Sequence, residues 1–105
     1  MPYVTTFPEV SPDKGVLRQV LSDSPELMVV SFRFDKGAEG ALHSHPHIQS
    51  TYVEAGRFRF SISGDEFEVG PGDSFVIPSE AEHGCLCLEP GRLIDTFTPR
   101  RDDFL

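Results

Sequence analysis

Positively charged residues are scarce in this sequence. Nine lysines and arginines stand against 17 aspartates and glutamates, which gives a formal net charge of −8 at pH 7. A surface this acidic repels phosphate backbones and anionic lipid headgroups. The composition therefore excludes nucleic acid and membrane surfaces as partners. The sequence also lacks any apolar run that approaches the roughly 20 residues needed to span a bilayer as a helix.

Cysteine is scarce as well. Cys85 and Cys87 are the only two, and on one strand their side chains would lie parallel, too far apart to bridge without distortion. The first residues, Met-Pro-Tyr-Val-Thr-Thr-Phe-Pro, lack the charged and then apolar layout of a secretory signal. Both observations agree with a reducing compartment, so we expect a cytoplasmic protein without disulfide bonds.

The length and the apolar pattern predict one domain built from strands. A chain of 105 residues supports a single modest core, so residues 1–105 are expected to form one domain. Residues 1–15 contain three prolines and predict an irregular arm or an edge strand. Residues 16–21 fit either a strand or a helical turn, and Leu27–Phe34 predicts a strand.

Short strands are predicted along the rest of the chain. Phe58, Phe60 and Ile62 alternate with polar residues and give a strand with one apolar face. Glycine- and proline-rich turns are predicted at four places: 55–56, 63–65, 70–73 and 90–91. Strands at nearly even spacing, without a long helix, predict an all-β antiparallel sandwich or barrel.

The histidines are concentrated in one short segment. Three of the four, His43, His45 and His47, fall within five residues, and His83 stands alone in the C-terminal half. On an extended strand His43 and His45 would emerge on the same face, and Gln49 has the parity to point inward with them. Imidazoles and a side-chain oxygen that converge on one point are borderline ligands suited to a divalent metal.

The spacing around these residues resembles that of the cupins. The first cupin motif is matched by Gly37, His43, His45, Gln49 and Gly56, although Gln49 stands where a glutamate is common. The second is matched by Gly72, Pro78 and His83, with departures at Glu80, where a glycine is usual, and Cys87, where an asparagine is usual. The resemblance covers residues 37–105 and implies a small single-domain cupin, a double-stranded antiparallel jelly-roll barrel. It also implies one divalent transition metal in the barrel mouth, held by His43, His45, Gln49 and His83; nickel, zinc, iron, manganese and cobalt are all compatible.

A narrower resemblance leads to the pectin-degradation (KdgF-like) cupins. It is carried by the segments His43–Gln49 and Pro71–Pro78, by His83-Gly84, and by the tail Asp95–Phe104. Those proteins linearise 4,5-unsaturated uronates released from pectin or alginate. The resemblance therefore implies a metal-dependent enzyme for an anionic, sugar-derived small molecule. Ile48 stands where that group often has an acidic residue, which leaves the substrate preference open.

The same resemblance assigns roles to three residues near the C-terminus. Asp95 is expected to act as general base or acid, Arg101 as partner of a carboxylate or a developing oxyanion, and Phe97 as a pocket wall. Each has a structural alternative: a hydrogen-bonded strand carboxylate, a solvated terminus and a core aromatic, respectively. His47 is expected near the ligands or on the surface. Cys85 shares the parity of His83 and is expected along the pocket, with no chemical role.

Two other functions remain open at this point. One is a cupin dioxygenase that acts on a small organic acid or thiol; the neutral Gln49 weighs against it, because the familiar iron site uses two histidines and a carboxylate. The other is a non-catalytic sugar- or acid-binding cupin that acts in trans. Cupins of this size commonly dimerise through an N-terminal strand, so the resemblance also implies a homodimer in which residues 1–10 cover an exposed sheet edge.

Overall fold

Antiparallel strands make up most of the computed structural model, which describes residues 3–105. Met1 and Pro2, with which the predicted N-terminal arm begins, lie outside the described residues. The elements in this part of the chain are β1 (Glu9–Asp13), β2 (Val16–Ser24), β3 (Leu27–Phe34), β4 (Glu39–His43), β5 (Ile48–Ile62), β6 (Asp65–Val69), β7 (Ser74–Ile77), β8 (His83–Thr98) and a 3₁₀ helix (Asp102–Phe104). Every strand pair is antiparallel, which confirms the predicted all-β class. Within residues 3–105, no helix is long and apolar enough to cross a membrane.

Two long strands, β5 and β8, run through both halves of the barrel. The first part of β5 pairs with the last part of β8, and the last part of β5 pairs with the first part of β8. On one side this gives a larger sheet in the order β1-β2-β3-β8-β5-β7. On the other it gives a smaller sheet in the order β4-β8-β5-β6. Two antiparallel sheets that share their central strands in this way form a jelly-roll barrel.

Two of the four predicted turns are wrong. Residues 55–56 and 90–91 do not separate strands; they lie inside β5 and β8, where the register between the two strands shifts. Gly56 has φ +82°, and a Cβ on it would lie 2.5 Å from the Cα of Gly91. The two glycines allow the backbones to cross closely while both strands bend from one sheet into the other. At these two places the glycines and prolines lie at irregularities in the strand pairing rather than in turns. β5 and β8 are therefore much longer than the sequence predicts.

The predicted strand at Leu27–Phe34 and the two remaining predicted turns are confirmed. β3 has the predicted bounds, and residues 16–21 belong to a strand. β5 and β6 form a hairpin in which Ser63 (φ 49°) and Gly64 (φ 87°) both have positive φ, as a two-residue type I′ turn requires. Residues 70–73 connect β6 to β7.

Two apolar clusters lie on either side of a cavity in the barrel. The first contains Val16, Phe34, Val53, Phe58, Phe60, Val69, Cys87 and Leu93, and the second contains Val20, Met28, Val30 and Phe97. The cavity is lined by residues from both, including Phe60 and Leu93 from the first and Phe97 from the second. Its volume is about 250 Å³. Most of the candidate functional residues described next line this cavity.

The crossing of β5 and β8 can be tested with a matched pair of glycine substitutions. Gly56→Ala and Gly64→Ala both place a side chain at positive φ, but only Gly56 has backbone atoms within 4 Å of the new Cβ. We expect Gly64→Ala to lower the free energy of unfolding by about 1 kcal/mol, and Gly56→Ala to lower it by about 3 kcal/mol or more because overpacking is added. Urea unfolding measures both values. Equal losses would contradict the close approach of the two strands.

Candidate metal centre and the cavity around it

Three histidines converge beside the cavity, and two of them, His43 and His83, line it. His43 is the last residue of β4 and His83 the first of β8, and the two are partners across these strands. His45 lies in the loop that follows β4. The ring centroids are 4.3 Å apart for His43 and His83, 4.8 Å for His45 and His83, and 5.4 Å for His43 and His45. One ring nitrogen from each lies within 4.8 Å of the others. The convergence thus comes from a strand end, a loop and a strand start rather than from one strand face.

The backbone determines which nitrogen of each ring is available. The Nδ1 of His43 lies 2.8 Å from the carbonyl oxygen of Ala41, and the Nδ1 of His83 lies 2.9 Å from that of Ala81. The Nδ1 of His45 lies 3.1 Å from the carbonyl oxygen of His47. A carbonyl oxygen only accepts, so each Nδ1 carries the proton and each Nε2 of a neutral ring carries a lone pair. This is the arrangement in which histidines bind metals, with the second nitrogen anchored to the backbone.

Gln49 completes a fourth position. Its Oε1 lies 3.1 Å from the Nε2 of His45, while its Nε2 donates to the hydroxyl of Thr51 at 3.0 Å. The Oε1 and a neutral His45 Nε2 are both acceptors, so their closeness is favourable only when a positive charge lies between or beside them. Within residues 3–105, the Nε2 of His83 is buried and has no hydrogen-bond partner. The three imidazoles and the amide oxygen therefore fit a divalent metal ion.

Burial keeps two of these histidines neutral. It lowers the pKa of His83 to about 4, and the charges of His43, His45 and Arg101 act in the same direction. Burial also lowers the pKa of His45, followed by the charge of Arg101. A histidine must be unprotonated to bind a metal. The protein thus prepares both rings as ligands at neutral pH without depending on the metal to remove their protons.

A buried hydrogen-bond chain links Gln49, beside the converging histidines, to Asp95. Gln49 donates to Thr51, and the hydroxyl of Thr51 donates to the Oδ1 of Asp95 at 2.7 Å. Thr51 and Asp95 are partners across β5 and β8, and both are buried. Because the amide nitrogen of Gln49 donates to Thr51, the amide oxygen of Gln49 points toward the histidines. The sequence analysis missed Thr51, although it shares the parity of Gln49 on β5.

Asp95 can exchange a proton near neutral pH. Burial raises the pKa of its carboxyl group to about 7, although the hydrogen bond from Thr51 and the charge of Arg101 oppose this shift. It lines the same cavity as His43, Gln49 and His83. A carboxyl group with a pKa near the working pH can both accept and release a proton.

The C-terminal tail folds back over the cavity. Phe97 is buried and lies edge-on to His45 with ring centroids 5.8 Å apart. The guanidinium carbon of Arg101 lies 5.2 Å from the ring centroid of Phe97 and 4.3 Å from that of Phe104. Arg101 also donates two hydrogen bonds, of 3.0 and 2.9 Å, to the carboxylate of Asp103. Its side chain is only 13% exposed, so it is held against the cavity rather than solvated.

Three further residues complete the description of this region. His47 is half-buried beside the metal centre, but its ring is not among the converging nitrogens. Cys85 lines the cavity, and burial raises the pKa of its thiol to about 12, so it stays protonated. Arg18, on β2, also lines the cavity. It was missed by the sequence analysis, although it lies between Val16 and Val20, two positions of an apolar strand face.

Similarity to known proteins agrees with this arrangement. Residues 30–97 match the family model described as a cupin domain, which covers more than half of the chain. The chain is a cupin. The pectin degradation protein KdgF of Dickeya dadantii is 42% identical to this cupin over 93 residues, which is 87% of this chain and 84% of the relative.

Two solved structures are similar over nearly the whole chain. An RmlC-like cupin from Shewanella frigidimarina has a TM-score of 0.94 and 39% identity, and the match covers 100% of this cupin and 97% of that chain. KdgF from a Halomonas species has a TM-score of 0.90 and 38% identity, and the match covers 96% of this cupin and 98% of that chain. These matches confirm the predicted jelly-roll fold and the resemblance to the KdgF-like cupins.

Metal binding can be tested with two histidine substitutions. We expect the purified protein to bind about one divalent metal ion per chain, and His83→Ala to lower its affinity because one of the converging nitrogens is lost. His47→Ala is the control, since its ring lies beside the site without converging on it. Elemental analysis and titration with cobalt or nickel measure both. Full metal binding by the His83 variant, or equal loss in the His47 variant, would refute the ligand set.

Proposed function

We propose that this cupin opens the ring of 4,5-unsaturated uronates from pectin or alginate and converts them to linear keto acids. The observation that carries the proposal is a buried carboxyl group, Asp95, that lines one cavity with His43, Gln49 and His83. A hydrogen-bond chain through Thr51 and Gln49 also leads from it to the third convergent histidine, His45. The similarity to pectin degradation protein KdgF supports the choice of substrate class and of an enzymatic role. A cavity of about 250 Å³ lies below the usual range for drug-sized ligands, roughly 300–1,000 Å³, and suits a single sugar ring.

The reaction is an isomerisation in which a proton is moved and no atom is gained or lost. A base removes the proton from the anomeric hydroxyl group, the bond between the anomeric carbon and the ring oxygen breaks, and an aldehyde and an enolate result. Protonation of the enolate at carbon then gives the 2-keto acid. Asp95, with a pKa of about 7, is able to accept the first proton and to return one.

Other residues of the cavity stabilise the charges that develop. Arg101 offers the developing oxyanion the N–H donors that Asp103 does not use, and its two hydrogen bonds to Asp103 hold the guanidinium in place. Phe97 forms an apolar wall beside His45, which keeps water away from the reacting group. His43, His45, Gln49 and His83 would hold the metal ion. When bound, a divalent ion supplies Lewis-acid stabilisation without a redox change, and nickel, zinc, iron, manganese and cobalt all suit this donor set.

The reaction can be tested by following the conjugated alkene absorbance of freshly made 4,5-unsaturated galacturonate. We expect the metal-loaded protein to accelerate its loss over the spontaneous rate. Asp95→Asn keeps the shape of the side chain but not its basicity, and should lower kcat by roughly a hundredfold or more. Asp65→Asn, at an exposed position of β6, is the matched control and should leave the rate unchanged.

Metal content is measured for each variant, and a chelated sample is run alongside. Acceleration that is lost in the chelated sample and in Asp95→Asn would support both parts of the proposal. No acceleration with either galacturonate- or mannuronate-derived substrate would refute it. Oxygen uptake in the presence of Fe(II) would then support the dioxygenase alternative.

A homodimer and a cytoplasmic location, both expected from the sequence, remain part of this proposal. β1 is the edge of the larger sheet and all five of its residues are exposed, so a second copy could cover it. We expect the full chain to elute from gel filtration as a dimer and a chain that begins after Val10 to elute as a monomer. An unchanged dimer would remove the N-terminal segment from the interface.

A further inference from the structure

Arg18 occupies an inward-facing position on β2. Its neighbours two residues away, Val16 and Val20, are each only 5% exposed and belong to the two apolar clusters. Side chains alternate along a strand, so Arg18 emerges on the same face and lines the cavity with His83 and Asp95. A charged group in such a position is costly unless another group compensates it.

The guanidinium of Arg18 has no ion-pair partner in the described part of the chain. Across residues 3–105, no carboxylate oxygen lies within 4.0 Å of it. Its guanidinium carbon lies 4.3 Å from the ring centroid of Phe104, which itself packs against Phe32 and Phe97. This cation–π contact holds the guanidinium beside the cavity. Because residues 3–105 offer the N–H donors of Arg18 no carboxylate within ion-pair distance, these donors remain available to an anionic ligand.

Arg101, the other arginine that lines the cavity, has a carboxylate partner. Two of its N–H groups donate to Asp103, and this fork offsets its charge. Arg18 is therefore the cavity-lining arginine without an ion-pair partner among residues 3–105, although the carboxylates of Asp13 and Glu39 also line the cavity. The net charge of the protein is −8, so an arginine on its outer surface would find many carboxylates to pair with. Arg18 instead faces the site of the proposed reaction.

We infer, on the basis of the proposed function, that Arg18 binds the carboxylate of the uronate. A guanidinium binds a carboxylate through two parallel hydrogen bonds, which fixes orientation as well as charge. Across the larger sheet, Arg18 faces Phe32 on β3, and the next inward position, Val30, faces Asp95 on β8. Arg18 and Asp95 are thus two strand spacings apart across the sheet and two residues apart along it, which is a diagonal of about 12 Å. A long arginine side chain and one sugar ring can bridge that distance, with the carboxylate at Arg18 and the anomeric hydroxyl toward Asp95.

The test compares a sugar acid with its neutral counterpart. D-Galacturonate and D-galactose differ by the carboxylate and neither can undergo the reaction, so calorimetric titration into the metal-loaded protein measures binding alone. We expect the wild type to bind galacturonate about tenfold or more tightly than galactose, as a charge-assisted pair provides. Arg18→Gln should lose most of this preference. Arg18→Lys keeps the positive charge but cannot form two parallel hydrogen bonds to a carboxylate, so it should retain part of the preference for galacturonate.

The matched control is Arg33→Gln, the same substitution at an exposed arginine of the neighbouring strand. Metal content and thermal unfolding are measured for all variants to establish that they fold and keep the metal centre. For the reaction with unsaturated galacturonate, Arg18→Gln should raise KM by about tenfold and change kcat by less than about threefold, because carboxylate binding acts equally on ground and transition states.

The outcomes separate this inference from the proposed function. A wild type that prefers galacturonate, loses the preference in Arg18→Gln and yet accelerates no reaction would support the role of Arg18 and refute the proposed activity. An active wild type whose KM and galacturonate preference are unchanged in Arg18→Gln would support the activity and overturn the inference. A wild type with no preference for the acid would also overturn it.

Discussion

The pairing of β5 with β8 is the interaction on which the rest of the structure depends. These two strands are shared by both sheets, and their bend at Gly56 and Gly91 joins the halves of the barrel. The same pairing brings Gln49 opposite Phe97 and Thr51 opposite Asp95. A slip of one residue would turn all of these side chains to the outer face, because strand side chains alternate. Fold and candidate site therefore rely on one register.

Burial does most of the chemical preparation of the cavity. Removal of water favours the uncharged form of each titratable group. It lowers the pKa of His83, so the ring stays available to a metal, and it raises the pKa of Asp95 to a value at which the carboxyl can exchange protons. The cost of placing Gln49 and Asp95 in the interior is offset by hydrogen bonds through Thr51. The chain that satisfies these polar groups also couples the metal ligands to the proposed base.

Two of the nine positively charged residues line the cavity. Although acidic residues predominate in the sequence, Arg18 and Arg101 both face this site and both pack on the ring of Phe104. Their surroundings differ, since Asp103 offsets one charge and no carboxylate within the described residues forms an ion pair with the other. The two guanidinium groups pack on the same aromatic ring but differ in whether a carboxylate of the protein is bound to them.

The sequence alone determined the fold class, because alternating apolar residues and two spaced motifs are local patterns that a strand and a metal site impose directly. It also pointed to His43, His45 and His83, which the structure brings together, and to Asp95, which lines the same cavity as His43 and His83. Tertiary structure alone decided that residues 55–56 and 90–91 lie at register shifts inside long strands rather than in turns. Glycine is common in turns and in bulges alike, and only the pairing with the partner strand shows which of the two is present. Tertiary structure likewise decided that Thr51 joins Gln49 to Asp95 and that Arg18 has no ion-pair partner among residues 3–105. Those properties belong to pairs of residues distant in sequence, and no local pattern records such a pair until the strands are in register.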